Sequence, residues 1–128
     1  MRGVILDTNF LMIPASLKVD IFAELDRVCN FPYETCVIDK TPLELDNIEK
    51  SQKGAHKRAA KFAKALLGQK KIKVIETGEG HADDLILKVA KEKKYIVATQ
   101  DMALKRKLKT ENIPRIFLRQ KKYLVLEM

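Results

Sequence analysis

The chain has 128 residues, of which 46% are hydrophobic and 33% are charged. This composition suits one globular domain over residues 1–128. Its apolar runs are far shorter than the ~20 residues of a membrane span, and an acidic residue inside the first run argues against a signal peptide. The net charge of +8 favours a polyanionic partner such as nucleic acid. Abundant lysine is also typical of proteins from heat-loving organisms, but that explains the positive excess less well.

Hydrophobic periodicity and turn residues predict an alternation of strands and helices. In chain order, the pattern predicts strand 3–6, helix 17–29, strand 35–39, helices 41–52 and 55–67, strand 72–76, helix 83–93, strand 95–99, helix 102–109, and strands 115–118 and 123–127. This order is typical of an α/β fold with a central, mostly parallel sheet of about five strands, flanked by helices.

Two details of these predictions concern the helices after the second strand. Thr41 and Glu44 have the spacing of a capping box, which predicts a helix start at this point. In the next helix, apolar residues including Phe62 are expected to face inward, and the basic residues outward. The two cysteines, Cys29 and Cys36, lack a Cys-x-x-Cys motif, so they argue against a zinc site and are expected to fill the core of a cytosolic protein with reduced thiols.

Each of the first four strands is followed by an acidic residue. Asp7 follows the first strand, Glu44 lies on the helix after the second, Asp83 and Asp84 follow the third, and Asp101 follows the fourth. In a parallel sheet these acids lie beyond the same edge, where ligands bind. Clustered carboxylates raise one another's pKa, and Mg²⁺ or Mn²⁺ would remove this cost. Two such ions could activate water and stabilise the leaving oxygen in phosphodiester cleavage.

Each acid also has a simpler structural interpretation. Asp83 and Asp84 could only stabilise a helix N-terminus, an effect worth ~0.3–1 kcal/mol each. Asp101 has the position of an ordinary helix cap, and Glu44 that of a capping-box residue. His81 precedes the acids and is interpreted as a loop residue. The coincidence of all the acids at one sheet edge favours the metal site.

Four segments resemble the PIN-domain nucleases: VILDTNFLM (4–12), LELDNIE (43–49), HADDLILKVA (81–90) and YIVATQDMALKRKL (95–108). Within that family, the segments around Asp83 and Asp101 and the chain's last strands are most similar to the small-subunit ribosomal RNA processing branch. VapC-type toxins are the broader relatives. The resemblance covers nearly the whole chain, and it implies a single-domain PIN-like fold.

The resemblance also implies an endoribonuclease that depends on Mg²⁺ or Mn²⁺. The catalytic acids carried over by position are Asp7, Glu44, Asp83 and Asp101. The implied metal ligands are Asp7, Asp83 and Asp101, with Asp84 as a direct or an auxiliary ligand. The polar residues that match the supporting positions are Thr8, Asn9 and Thr99. The implied partners are RNA, as a ribosomal RNA precursor, together with further copies of the chain or ribosome-assembly proteins, and no membrane.

The basic residues are a solvated face by default and an RNA-binding surface by hypothesis. The candidates for RNA contact are Lys57, Arg58, Lys61, Lys105 and Arg106. Aromatic residues are only 6% of the chain, and Phe22, Phe62 and Phe117 are expected to be buried. Few exposed rings remain for base stacking, so binding is expected to depend on backbone charge.

Other functions remain open or are disfavoured. A non-catalytic RNA-binding module of the same fold and a toxin-type ribonuclease are the open alternatives. A response-regulator-like phosphoacceptor needs an acid pair beside strand one and an acceptor aspartate ending strand three, and neither is present. A haloacid-dehalogenase-like phosphatase needs Asp-x-Asp after strand one, where this chain has Asp7-Thr8-Asn9.

Overall fold

A six-stranded sheet runs through the computed structural model, which describes all residues from 1 to 128. The strands are β1 (Arg2–Leu6), β2 (Tyr33–Ile38), β3 (Ile72–Ile75), β4 (Ile96–Ala98), β5 (Arg115–Arg119) and β6 (Tyr123–Glu127). Their order in the sheet is β3-β2-β1-β4-β5-β6. The first five strands are parallel, and β6 is antiparallel to β5. The predicted α/β fold with a mostly parallel sheet is confirmed.

The sheet contains all six predicted strand segments, where about five strands were expected in the sheet. The sixth strand arises because the last two apolar segments pair with each other as a hairpin, and Ile116 lies opposite Leu126 in that pairing. The short connection between β5 and β6 contains Gln120 and Lys121, both with a positive φ. A tight reversal of this kind permits antiparallel pairing, whereas a parallel neighbour would need a long crossover.

Seven helices cover the two faces of the sheet. They are α1 (Thr8–Leu11), α2 (Ile13–Leu17), α3 (Ile21–Val28), α4 (Lys40–Ser51), α5 (Ala55–Gln69), α6 (Ala82–Lys93) and α7 (Met102–Thr110). On one face, α1 to α5 pack over Val4, Leu6 and Val37. On the other face, α6 and α7 pack over Ile5 and Cys36. None of the helices combines the length and the hydropathy needed to cross a bilayer.

The central strands are apolar at consecutive positions because both of their faces are covered. Val4, Ile5 and Leu6 in β1 are all fully buried, as are Val97 and Ala98 in β4. Strands of parallel sheets that lie between two helical layers therefore lack the polar–apolar alternation of half-exposed strands. Their carboxyl ends lie side by side, and this brings the residues that follow them together.

The helix predicted over residues 17–29 begins later, at Ile21. Lys18 adopts a left-handed conformation with φ 55° and ends the preceding short helix. Asp20 then caps the next helix, because its carboxylate accepts hydrogen bonds from the backbone N–H groups of Phe22 and Ala23. Leu17 lies outside this helix and is 38% exposed.

The inward face predicted for the helix over residues 55–67 was wrong at Phe62. This ring is 47% exposed, whereas Ala59, Ala60 and Ala63 are buried. Ala59, Ala60 and Ala63 form the centre of the buried stripe of α5, and at 3.6 residues per turn Phe62 falls at the border of this stripe, where it faces solvent. Of the other two rings expected to be buried, Phe117 is buried and Phe22 is half-buried. Cys29 and Cys36 are buried free thiols, as expected.

Candidate active site

Asp7 is the buried centre of the carboxyl edge of the sheet. It follows β1 and caps α1, and one carboxylate oxygen accepts a hydrogen bond from the N–H of Thr8 at 2.8 Å. The other accepts one from the hydroxyl of Thr99 at 2.7 Å. Burial raises the pKa of Asp7 from 3.8 to about 6, the two hydrogen bonds oppose this rise, and the negative charges of Asp83 and Glu44 add to it.

Thr99 connects Asp7 to Asp101 through a single hydroxyl group. This oxygen donates to Asp7 and accepts from the N–H of Asp101 at 3.0 Å. Asp101 in turn caps α7 by accepting from the N–H of Leu104 at 2.9 Å. The structural interpretation of Asp101 as a helix cap is therefore correct, and its carboxylate still lies near Asp83, whose pKa it raises.

Glu44 does not form the predicted capping box. The helix begins at Lys40, so Thr41 lies inside it and is fully buried rather than at the cap. One carboxylate oxygen of Glu44 accepts a hydrogen bond of 2.9 Å from the hydroxyl of Thr8. The hydroxyl oxygens of Thr8 and Thr41 are 3.5 Å apart. Glu44 is thus directed towards Asp7 and joins the acids at the sheet edge.

Asp83 and Asp84 lie in the first turn of α6 and have different surroundings. Burial raises the pKa of Asp83, and Asp101 and Asp84 raise it further, while Lys107 lowers it. Asp84 has a 64% exposed side chain, and its carboxylate lies 3.7 Å from the ammonium group of Lys107. Asp83 is therefore the inward member of the pair, and Asp84 is balanced at the surface by a basic residue.

The acids form one electrostatic cluster with the chemistry of a divalent-metal site. All donors are carboxylate oxygens, which Mg²⁺ and Mn²⁺ prefer. Burial is the main cause of the raised pKa values of Asp7 and Asp83, and the charges of the neighbouring acids raise them further. No three acidic, histidine or cysteine side chains are arranged so that they hold one ion together. Mg²⁺ commonly binds through one or two carboxylates and several waters, and the donor set fits this mode.

The side chains of Asn9 and Gln100 each accept one backbone hydrogen bond, and these two bonds order the loop that carries Asp101. The side-chain oxygen of Asn9 accepts from the N–H of Gln100 at 3.2 Å. The side-chain oxygen of Gln100 accepts from the N–H of Leu118 at 2.6 Å, just beyond the end of the short strand β4. Asn9 was among the predicted supporting residues, whereas nothing in the pattern around Gln100 distinguished it from a loop glutamine.

Asp39 was missed as a member of this edge. Its carboxylate accepts hydrogen bonds from both the N–H and the hydroxyl of Thr77, and these bonds hold its pKa below the ordinary value. The contact ties the end of β2 to the loop that leads to Asp83. Asp39 follows its strand directly, as Asp7 does, so the position after β2 was a signal that could have found it.

The basic candidates are divided between two places. Lys57, Arg58 and Lys61 are exposed on α5, and Lys105 and Arg106 lie on α7 soon after Asp101. The ammonium group of Lys105 lies 3.6 Å from the centroid of the Phe117 ring, a cation–π contact that positions it beside the sheet.

Comparison with protein families gives one match over most of the chain. Residues 4–121 match the family described as "PIN like domain". The chain is 37% identical over 126 residues to "Ribonuclease VapC4" of Methanocaldococcus jannaschii, covering 96% of the chain and 95% of the relative. It is 33% identical over 128 residues to "Ribonuclease VapC9" of Archaeoglobus fulgidus, covering 99% of the chain and 90% of the relative.

Two solved structures share the arrangement of strands and helices. The structure described as "Structure of the PIN domain endonuclease Utp24" aligns with a TM-score of 0.78 and 25% identity, over 98% of this chain and 90% of the other. A domain of a functionally unknown protein from Methanocaldococcus jannaschii aligns with a TM-score of 0.65 over 93% of this chain and 92% of the other. Its identity of 21% makes the second likeness one of fold alone.

Proposed function

The chain belongs to the PIN-like domain family, and from this premise we propose that it is an endoribonuclease that hydrolyses RNA phosphodiester bonds with Mg²⁺ or Mn²⁺. The proposed catalytic unit is the single domain over residues 1–128, acting in the cytoplasm. The observation that carries the proposal is the cluster of Asp7, Glu44, Asp83 and Asp101 at one sheet edge, with the pKa of Asp7 raised to about 6. Perturbed carboxylates of this kind concentrate at functional sites.

In this proposal the residues have distinct roles. Asp7, Asp83 and Asp101 would hold the metal, one or two of them directly and the rest through bound water, with Asp84 at its outer side. When bound, the ion would supply an activated water and charge stabilisation for the leaving oxygen. Thr99 orients Asp7 and Asp101 through its two hydrogen bonds. Thr8 orients Glu44, and Asn9 supports the loop that carries Asp101.

A basic surface would bring RNA to this acidic cluster. The residues proposed to contact RNA phosphates are Lys57, Arg58, Lys61, Lys105 and Arg106. Phosphate contacts of lysine and arginine supply most of the sequence-independent affinity of nucleic-acid-binding proteins. Phe62 is the one exposed aromatic residue, so extended base stacking contributes little, and RNA shape or partner proteins would set specificity.

As substrate we propose a ribosomal RNA precursor. The resemblance of the segments around Asp83 and Asp101 to the ribosomal RNA processing branch supports this choice, and the likeness to the endonuclease structure supports the cleavage mode. Partners would then be ribosome-assembly proteins or a second copy of the chain. The names of the two curated relatives favour a second candidate, a toxin-type ribonuclease.

The activity is tested by incubating a ribosomal RNA precursor fragment and a mature transfer RNA with Mn²⁺, Mg²⁺ or chelator. We expect the wild type to cut RNA only with metal. Asp83→Asn should lower the cleavage rate by more than about 100-fold, which exceeds the roughly 10–100-fold loss typical of residues that only orient a metal ligand. Glu92→Gln, an exposed acid at the far end of the same helix, should retain full activity.

The same experiment separates the substrate candidates. Preferential cutting of the precursor would support the ribosomal RNA substrate. Cutting of both RNAs without preference, together with growth arrest on induced expression that Asp83→Asn relieves in a separate experiment, would support the toxin. Binding of RNA with no cutting under any metal condition would contradict the nuclease and support a non-catalytic RNA-binding module.

A further inference from the structure

Helices α4 and α5 form a helical hairpin, here named the arm, whose two helices pack side by side. The ammonium group of Lys64 on α5 lies 2.6 Å from Asp46 and 3.5 Å from Glu49 on α4. Ala59, Ala60 and Ala63 of α5 are buried, and Ala60 and Ala63 pack in the same cluster as Leu45 of α4. The arm is therefore a packed part of the domain.

The far end of the arm extends past the sheet edge that carries the acids. Helix α4 begins at this edge, directly after β2, with Glu44 beside Thr8. Helix α5 ends two residues before β3, whose first residue lies at the opposite edge of the sheet. The turn between the two helices must then lie beyond the acidic edge. From Glu44 to the end of α4 is about 10 Å along the helix axis, at 1.5 Å per residue.

Residues 50–58, here named the arm tip, are exposed and carry only positive charge. Every residue of this segment is exposed, and it contains Lys50, Lys53, Lys57 and Arg58 but no Asp or Glu. None of these four cations lies within 4 Å of a carboxylate, since the arm's neighbouring acids, Asp46 and Glu49, are paired with Lys64. None of the four is held in an ion pair, although Lys50 lies near enough to Asp46 to help lower the pKa of that carboxyl, so they remain available to an anion.

The turn of the arm tip is short and has a defined shape. Only residues 52–54 separate the two helices. Gly54 has φ 64° and ψ −132°, a conformation that residues with a Cβ rarely adopt. Because this glycine lets α5 start at once, Lys53 lies in a tight turn and Lys57 follows in the first turn of α5, rather than both lying in a long loop.

We propose that the arm tip is a docking surface for RNA phosphates next to the cut site, with Lys50, Lys53 and Lys57 as its contacts. This inference rests on the proposed ribonuclease function and extends it. The acidic cluster repels an RNA strand unless nearby cations offset that repulsion, and the arm tip supplies such cations beside the acidic edge. RNA is favoured over an acidic protein because the same edge carries the proposed phosphodiester-cleaving site.

The test measures binding of a fluorescein-labelled single-stranded RNA to Asp83→Asn protein in chelator, where no cleavage occurs. A variant with Lys50, Lys53 and Lys57 all changed to Gln is compared with one in which Lys71, Lys93 and Lys94 are changed to Gln. The control lysines are equally exposed, lie at the opposite edge of the sheet and are in no ion pair. Both variants remove three positive charges from the Asp83→Asn parent, whose net charge is one unit above the +8 of the wild type.

We expect the arm-tip variant to bind RNA at least about tenfold more weakly and to lower the magnitude of the salt slope by about 2, since each phosphate contact with a single strand contributes roughly 0.7. The control variant should stay within about twofold of the parent protein. Changing the same three arm-tip lysines to Arg should retain the binding, because the charge is kept. In the cleavage-competent protein, the arm-tip variant should raise KM and leave kcat unchanged.

Equal losses in the two Gln variants would show that only net charge matters, and they would overturn the proposal. An arm-tip variant that binds RNA as the parent does, but no longer binds an acidic peptide, would also overturn it, in favour of a protein partner. Binding that depends on the arm tip in a protein that never cleaves RNA would leave this docking surface standing and would contradict only the proposed function.

Discussion

The hydroxyl of Thr99 donates a 2.7 Å hydrogen bond to Oδ2 of Asp7, although the two residues are 92 positions apart in the chain. The contact forms because β1 and β4 are neighbours in the sheet, with Leu6 opposite Ala98. The same hydroxyl accepts from the N–H of Asp101. One buried side chain therefore sets the orientation of one proposed metal ligand and the backbone of another.

Replacing Asp7 with Asn should stabilise the metal-free protein above pH 6. The rise of the Asp7 pKa from 3.8 to about 6 means that ionised Asp7 costs about 3 kcal/mol, at 1.36 kcal/mol per pKa unit. Asn retains one acceptor oxygen and loses the other, and the lost hydrogen bond offsets about 1 kcal/mol of the stability gained by removing the charge. We expect a net gain of about 1–2 kcal/mol in the free energy of unfolding, measured by urea denaturation at pH 7.5 in chelator.

The pH dependence supplies the control for Asp7→Asn. The folded protein holds a proton on Asp7 between pH 3.8 and about 6, whereas the unfolded chain has released it. This group therefore adds stability at low pH, and that stability is lost as the pH rises from about 4 to 6. The advantage of Asp7→Asn should shrink to nothing at pH 4. A lower melting temperature for the variant at pH 7.5 would contradict a clustered site.

Replacing Thr99 with Val should destabilise the fold more than replacing it with Ser. Valine has nearly the same shape, but it removes the hydroxyl that donates to Oδ2 of Asp7 and accepts from the Asp101 N–H. We expect a loss of about 2–3 kcal/mol in the free energy of unfolding for Thr99→Val. Thr99→Ser keeps both bonds and loses one buried methyl group, at a cost of about 1 kcal/mol. Equal losses would show that only packing matters.

Divalent metal should stabilise the wild type, and Asp101→Asn should remove most of that effect. Asparagine caps helices as well as aspartate, so the cap on Leu104 should survive and the metal-free melting temperature should change little. Mn²⁺ at 100 times its Kd adds about 2.7 kcal/mol to the wild type by mass action. Thermal melts with and without Mn²⁺ measure this, with Glu92→Gln as the matched control. A full Mn²⁺ effect in Asp101→Asn would exclude that residue as a ligand.

Replacing Asp39 with Ala should loosen the loop that leads to Asp83. Thr77 would lose the carboxylate that accepts both its N–H and its hydroxyl. We expect faster hydrogen exchange at the Thr77 amide, lower nuclease activity and little change in exchange within β1. Because these bonds lower the pKa of Asp39, the wild-type Thr77 amide should be protected from exchange above pH 3.8. This protection should be lost as the pH falls through the lowered pKa of Asp39. Unchanged exchange at Thr77 would show that the loop is held by other contacts.

The sequence by itself determined the α/β fold and the placement of an acid after each of the first four strands. These features could be predicted because they depend on local pattern: apolar runs such as Val4 to Leu6 must be buried on both faces, and parallel strands bring their carboxyl ends to one edge. Asp7, Asp83 and Asp101 were predicted as site residues from that rule. The pattern did not predict the late start of α3, because the apolar spacing continues back to Leu17 although Asp20 caps the helix.

Only the tertiary structure decided which partner each polar group found. Glu44 had a local partner in the predicted capping box, but the folded chain placed the hydroxyl of Thr8 within 2.9 Å, and the carboxylate turned there. The contact between Asp39 and Thr77 and the one between Asp7 and Thr99 join residues 38 and 92 positions apart. Hydrogen bonds require partners within about 3 Å, and distances of this size are set by strand order and register, which no local pattern contains.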